Sequence, residues 1–297
     1  MRKVKVITDS CADMPKSLLD RYDIDYAQMN TVYKGETSPA DLGWTKEEAH
    51  RFYDLQRKGE RITTTQVPVE EFNRVFRKYL DEGCDIVYVA CSSKQSGSVN
   101  TAAVLAKKLK EEYPDAEIHC IDALRSCTGE GILAVETAKY AAEGHSAEEC
   151  AKYCMDLRNH VRQFITVHSL DALKRAGRVK ASAAFFGNLM GVKPILVADA
   201  NGVQTGIKKV KGRAASLQEI VNCAKEVIEN PEEQTVYLCH ADCAEEEVRK
   251  LKDLVKEAIP CKEIVETYIG PIVGASIGPD AIGLYCIGKE MTYKVAE

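Results

Sequence analysis

The sequence contains no Cys-x-x-Cys pair, no dense block of lysine and arginine, no Pro/Gly/Ser-rich linker and no apolar run long enough for a bilayer. A transmembrane helix needs roughly 20 consecutive apolar residues, so an integral membrane segment is not expected. Forty basic against forty-five acidic side chains give a net charge of −5. Without clustered cations to neutralise a phosphate backbone, nucleic acid is excluded as the main partner. The basic start is interrupted by Asp9 and Asp13 before any signal-peptide core forms, which points to a cytoplasmic location. Twelve cysteines are present but scattered, so most read as small buried apolar groups and no metal centre is expected. The spacings of a P-loop, a Gly-x-Gly-x-x-Gly turn and a Gly-x-Ser-x-Gly nucleophile elbow are all missing.

What is there is an alternation of apolar strands and amphipathic helices. Lys3 to Thr8 reads as a buried strand, Ile24 to Val32 as a second extended run, and 85–90 and 117–121 as further strands. Thr45-Lys-Glu-Glu48 has a capping-box pattern, which predicts a helix to Lys58. Helices are expected over 69–80, 97–112, 129–142 and 146–160. In the second half, strands near 162–167 and 194–197 precede a hairpin signal at Asn201-Gly202. Strands at 235–239, 264–268 and 282–287 then alternate with helices 214–229 and 244–258. The fold class is therefore α/β, with two α/β domains. An N-terminal domain, 1–160, has a mostly parallel sheet flanked by helices; a C-terminal domain, 161–297, has a mixed sheet with helices.

In parallel α/β sheets, ligands sit beyond the carboxyl ends of strands, where loops lead into helix starts. Cys91-Ser92-Ser93-Lys94-Gln95-Ser96-Gly97-Ser98 is such a loop. Ser96 falls at the expected helix start, where a hydroxyl can cap; Gly97 lets the main chain approach a ligand, and the dipole end favours an anion. Equally, Ser96 could be an N-cap and nothing more. Thr63-Thr64-Thr65 reads as a second hydroxyl-rich loop before a helix, and Gly270 to Gly283 as a glycine-rich loop. Cys239-His240-Ala241-Asp242-Cys243 has ligand-type residues, but no partner cluster at zinc spacing. His168, Ser169 and Asp171 are the residue types of a triad, yet their adjacency favours a helix start.

Taken in order, Ile7-Thr-Asp9-Ser-Cys-Ala-Asp13-Met-Pro15, Thr64-Thr-Gln66, Ser92-Ser93-x-x-Ser96-Gly97-Ser98, Leu173-Lys-Arg-Ala-Gly177-Arg178-Val, Lys193-Pro194-Ile-Leu and Gly270-Pro-Ile-Val-Gly274-Ala-x-x-Gly278-Pro279 resemble the DegV family. That resemblance implies a non-enzymatic carrier that holds a long-chain fatty acid in a buried tunnel between two domains and presents it to a separate fatty acid kinase. It maps carboxylate contacts to Thr64 and Ser96 and ligand-binding positions to Thr65, Gly97 and Ser276. No catalytic residue and no cofactor beyond the bound acid are implied. Where the family commonly reads Gly-x-His-x-Gly-Pro-Gly, this chain has Gly274-Ala-Ser276-Ile-Gly278-Pro279-Asp280. Serine still donates a hydrogen bond but carries no charge near neutral pH. Arg178 and Arg213 stand in the matching basic segments as partner or head-group contacts. The competing reading is a phosphotransferase or acyl hydrolase with Ser96 as nucleophile.

Overall fold

A computed structural model describes residues 2–169, 171–180 and 191–295. In chain order the first elements are β1 (Val4–Asp9), α1 (Lys16–Arg21), β2 (Asp25–Ala27), β3 (Asn30–Tyr33), β4 (Glu36–Pro39), α2 (Lys46–Arg57), β5 (Ile62–Thr65), α3 (Val69–Asp81), β6 (Asp85–Ala90), α4 (Ser98–Glu112), β7 (Ile118–Asp122), α5 (Thr128–Ala142) and α6 (Ala147–Leu157). They are followed by β8 (Val161–Thr166), α7 (Asp171–Ala176), β9 (Val179–Lys180), β10 (Val192–Ala198), β11 (Gln204–Lys211), α8 (Arg213–Val227), β12 (Thr235–His240), α9 (Glu245–Ala258), β13 (Glu263–Tyr268), α10 (Pro271–Ile277) and β14 (Ile282–Ile287). The architecture is α/β. Residue contacts divide the chain into two compact units, one of Met1–Trp44, Ile62–Arg158 and Gly270–Ile272, the other of Thr45–Arg61, Asn159–Ile269 and Val273–Glu297.

The first unit is built on a parallel sheet in the order β2-β1-β6-β7. Every residue of β6 is buried, as a strand covered on both faces by helices must be. Phe72 and Phe76 of α3 pack against Tyr88 of that strand, with ring centroids 5.1 and 5.9 Å away. A small antiparallel sheet, β4-β3-β5, stands beside it in the same unit.

The second unit holds a seven-stranded mixed sheet in the order β13-β12-β14-β8-β10-β11-β9. Phe164, Ile220, Leu238, Leu251 and Leu284, contributed by β8, α8, β12, α9 and β14, belong to one buried cluster. Asn201-Gly202 makes the turn between β10 and β11, which pair antiparallel; Gly202 has φ +82°, a left-handed value that costs glycine nothing. Asp199 fixes the turn by accepting from the amides of Asn201 and Val203, both at 2.8 Å.

The expected capping box of Thr45 with Glu48 forms, and a second one stands at Ser146 with Glu149. Four expectations are corrected. The run from Ile24 to Val32 splits into β2 and β3, in different sheets, because the Ser10 hydroxyl takes the Met29 amide at 2.9 Å and donates to the Ala40 carbonyl at 2.7 Å. Thr63 to Thr65 are strand, not loop; their β-branched side chains suit the pleat of β5. The tail from Gly270 is not all loop, since Pro271 opens the helix α10, a position where its missing N–H is no loss. Finally, α6 ends at Leu157 and does not run on to His160.

Candidate functional site

Thr64 and Thr65 lie on β5, paired in register with Thr31 and Asn30 of β3. Thr64 is half-buried, and its hydroxyl makes no hydrogen bond among the described residues. The serine loop leaves the carboxyl end of β6 and enters α4. Gly97, not Ser96, occupies the N-cap, so the cap position has no side chain to donate or accept. Ser96 still serves the helix start: its hydroxyl accepts from the Ser98 amide at 3.2 Å and pairs with the Ser98 hydroxyl at 2.9 Å.

Two hydrogen bonds tie these loops together. Val67 N donates to Ser98 Oγ at 3.2 Å, and Gln66 Nε2 donates to Thr101 Oγ1 at 2.9 Å. Gln66 Oε1 occupies the place where a Cβ on residue 97 would stand. A side chain at 97 would displace the Gln66 carboxamide, and with it the bond to Thr101. Sequence reading assigned no role to Ser98; its signal was only that it is a hydroxyl one residue beyond the expected cap.

Asp9 fixes the root of the serine loop. Its Oδ2 accepts from the Tyr88 hydroxyl at 2.6 Å and the Cys91 amide at 3.2 Å, while Oδ1 accepts from the Cys11 amide at 3.0 Å. Burial pushes its carboxyl up from the usual range, opposed by those three donors. Asp13, from the same motif, accepts from the Gly270 amide at 2.9 Å, and burial raises its carboxyl well above the ordinary value. Ser92 Oγ accepts from the Lys94 amide at 3.3 Å within the loop.

In the second unit, Ser276 sits half-buried on α10. That helix is held by α2: Gln56 Nε2 donates to the Gly274 carbonyl at 3.0 Å and the Tyr53 hydroxyl to the Ile269 carbonyl at 2.6 Å. Asp280, which replaces the family's glycine, has φ +62°. That conformation strains aspartate, and what it obtains in return is Arg57, whose Nη2 lies 2.7 Å from Asp280 Oδ1 and whose Nη1 lies 2.6 Å from Asp242 Oδ2. Arg213 is committed to Glu247, with Nε and Nη2 each at 3.0 Å from its oxygens, and to the Asp280 carbonyl at 2.8 Å. Its Nη1 is buried with no hydrogen-bond partner among the described residues. Arg178 is exposed and donates to the Ala176 carbonyl at 2.7 Å.

The motif-like clusters have structural uses. Ser169 Oγ accepts from the Asp171 amide at 3.0 Å at the start of α7. His240 Nδ1 accepts from the Cys243 amide at 3.2 Å, and Nε2 meets Glu266 at 3.1 Å, so both ring nitrogens are engaged within the protein.

Chemically, Thr64 and Ser96 offer neutral hydroxyls next to a helix start. No histidine, lysine or carboxylate hydrogen-bonds to Ser96 among the described residues, so nothing there is placed to take its proton. Among the described residues no helix is long and apolar enough to cross a membrane.

Comparison with known proteins gives a consistent picture. The family model described as "Uncharacterised protein, DegV family" matches residues 3–289. A DegV domain-containing protein of Clostridium perfringens is 33% identical, over 97% of this chain and 98% of its own. Among solved structures, DegV from Bacillus subtilis, described as a fatty acid binding protein, superposes with a TM-score of 0.83 at 26% identity, over 97% of this chain and 100% of that one. A DegV lipid binding protein from Thermotoga maritima does so with a TM-score of 0.82 at 26% identity, over 97% and 99%. A stearic acid-binding protein from Eubacterium ventriosum gives 0.81 at 25% identity, again over 97% and 99%.

Proposed function

The chain belongs to the DegV family, and from that premise we propose that it binds one long-chain fatty acid in a buried tunnel, with the carboxylate held by the Thr64 and Ser96 hydroxyls. The observation that carries this reading is the pinning of the segment that follows Thr64 and Thr65 on β5 to the helix start beside Ser96, through Gln66–Thr101 and Val67–Ser98. Thr65, the last residue of β5, and Gly97, the N-cap of α4, flank these bonds. An acyl chain of ~16 carbons, at about 0.8 kcal/mol per buried CH2, offers on the order of 10 kcal/mol. The carboxylate then needs only enough donors to avoid being left unsatisfied, and hydroxyls suffice. Domains 1–160 and 161–297 are part of the same reading; the contact division agrees with it at Arg158/Asn159 but places Thr45–Arg61 with the second unit and Gly270–Ile272 with the first.

The protein acts as a carrier, and a fatty acid kinase performs the chemistry on the presented acid. Ser276 belongs to the lipid site and Arg178, exposed, to the partner's surface; Arg213 acts by bracing Glu247 and the Asp280 carbonyl. Titration of delipidated protein with labelled palmitate tests the binding step. Thr64→Val and Ser96→Ala are each expected to weaken binding by about 1.5–3 kcal/mol, the worth of a hydrogen bond to a charged group. Unchanged affinity in both variants contradicts the anchor. Turnover of an acyl ester by the protein alone, lost in Ser96→Ala with ligand retained, would establish the nucleophile reading instead. With a fatty acid kinase present, Ser276→His is expected to raise acyl phosphate formation; no change makes the position neutral.

A further inference from the structure

Cys11, after β1, Cys91, after β6, and Glu130, in the first turn of α5, converge inside the first unit. Their two sulfurs and a carboxylate oxygen all lie within 4.8 Å of one another. Cys11 is 3% exposed, Cys91 2% and Glu130 0%. Thr8 Oγ1 donates to Glu130 Oε1 at 2.9 Å, Oε2 receives no hydroxyl or amide, and the Glu130 carboxyl shares a hydrogen bond with that of Asp9.

We propose that Cys11, Cys91 and Glu130 bind a thiophilic divalent cation of the zinc class, a structural ion joining the ends of β1 and β6 to the start of α5. Three atoms with these separations enclose a point no more than about 2.8 Å from each, against about 2.3 Å for zinc to sulfur and about 2.0–2.2 Å for zinc to carboxylate oxygen. Shifts of a few tenths of an ångström to about 0.8 Å close that difference. Thiolates select zinc-class ions over magnesium or calcium. Loading displaces the two thiol protons and the carboxyl proton, so the loaded trio carries one net negative charge. Glu130 stands at a helix N-terminus, which favours that charge. The fully buried Arg125 belongs to the preceding connection, whose carbonyl accepts from the Ser92 amide at 2.9 Å, next to Cys91. Asp9 holds both cysteine amides, at 3.0 and 3.2 Å, and so orients the two sulfur-bearing loops as outer-shell partners of metal ligands do. The three residues are far apart in sequence, so no spacing motif announces them, and the sequence reading expects no metal.

The test is elemental analysis of the full chain, without a polyhistidine tag, purified from zinc-supplemented cells without chelator. About one zinc per chain is expected, with affinity reduced at least about tenfold in Cys11→Ser/Cys91→Ser and in Glu130→Gln. Wild-type protein refolded with cobalt is expected to show a thiolate-to-cobalt charge-transfer band in the near ultraviolet; this arm stands even if the variants fail to fold. The proposal is overturned if folded wild type holds less than about a tenth of an equivalent of zinc and shows no cobalt band. It is equally overturned if the folded double variant retains the wild-type metal content, or if the protein as purified carries a Cys11–Cys91 disulfide.

Discussion

Asp13 in the first unit and Glu266 in the second are both acids held by an α/β scaffold, and their environments act in opposite directions. Burial raises the Asp13 carboxyl well above the ordinary range, whereas His240 and then Lys252 hold Glu266 down at about 2. The contrast extends to their neighbours. Asp9, Asp13 and Glu130 are fully buried and surrounded by hydroxyls, thiols and amides. In the second unit, Asp242 and Asp280 pair with Arg57, and Glu247 with Arg213. The hydroxyls proposed to hold a carboxylate thus share a unit with three buried acids held by neutral donors, while other acids of that unit, such as Asp85 with Arg2 and Asp23 with Lys3 and Lys5, pair with cations. Ser276 belongs to the second unit, where Arg57 and Arg213 hold Asp242, Asp280 and Glu247.

The largest effect expected from breaking this contrast is at Tyr88. Removing its hydroxyl in Tyr88→Phe leaves Asp9 Oδ2 with only the Cys91 amide and is expected to cost about 2–3 kcal/mol in urea unfolding, the range for hydrogen bonds to charged groups. In the second unit, Arg57→Met is expected to cost less, about 1–2 kcal/mol, because a third of that side chain is open to solvent and its pairs are screened. Adding Asp280→Gly should recover part of the loss by relieving the strained φ and removing an unpaired carboxylate.

Proton linkage gives two smaller effects of opposite sign. A raised folded pKa at Asp13 means that the folded state holds a proton the unfolded chain has released above about 3.9. Wild-type stability therefore falls as pH rises beyond that value, by at most about 1.4 kcal/mol per pH unit for one proton. Asp13→Asn lacks this slope, so its advantage over wild type should grow with pH in parallel unfolding curves. Glu266, with its pKa lowered to about 2, contributes stability present above the unfolded value of about 4.3 and lost as pH falls towards about 2. A third of it is exposed, so Glu266→Gln should cost less than about 1 kcal/mol at neutral pH, with the difference vanishing in acid.

Local signals carried much of the architecture. The uninterrupted apolar run of β6, the capping box of Thr45 with Glu48 and Asn201-Gly202 each define an element through residues within a few positions of one another. The failures arose from distant partners. The Ser10 hydroxyl diverts the Met29 amide and splits the second extended run, and β5 forms because β3 offers Thr31 and Asn30 as neighbours. At the site, the Thr64 and Ser96 hydroxyls were legible as types in loops before helices. Gln66 against Gly97 was not, because a carboxamide filling the place of an absent Cβ leaves no trace beyond the glycine itself.

The most direct test is the mass of what organic solvent extracts from the purified protein, compared with a Thr64→Val/Ser96→Ala double variant of matched fold. Wild type is expected to yield about one long-chain fatty acid per chain and the double variant markedly less. A wild-type preparation that yields no fatty acid, and that also fails to take up labelled palmitate, contradicts the proposed function.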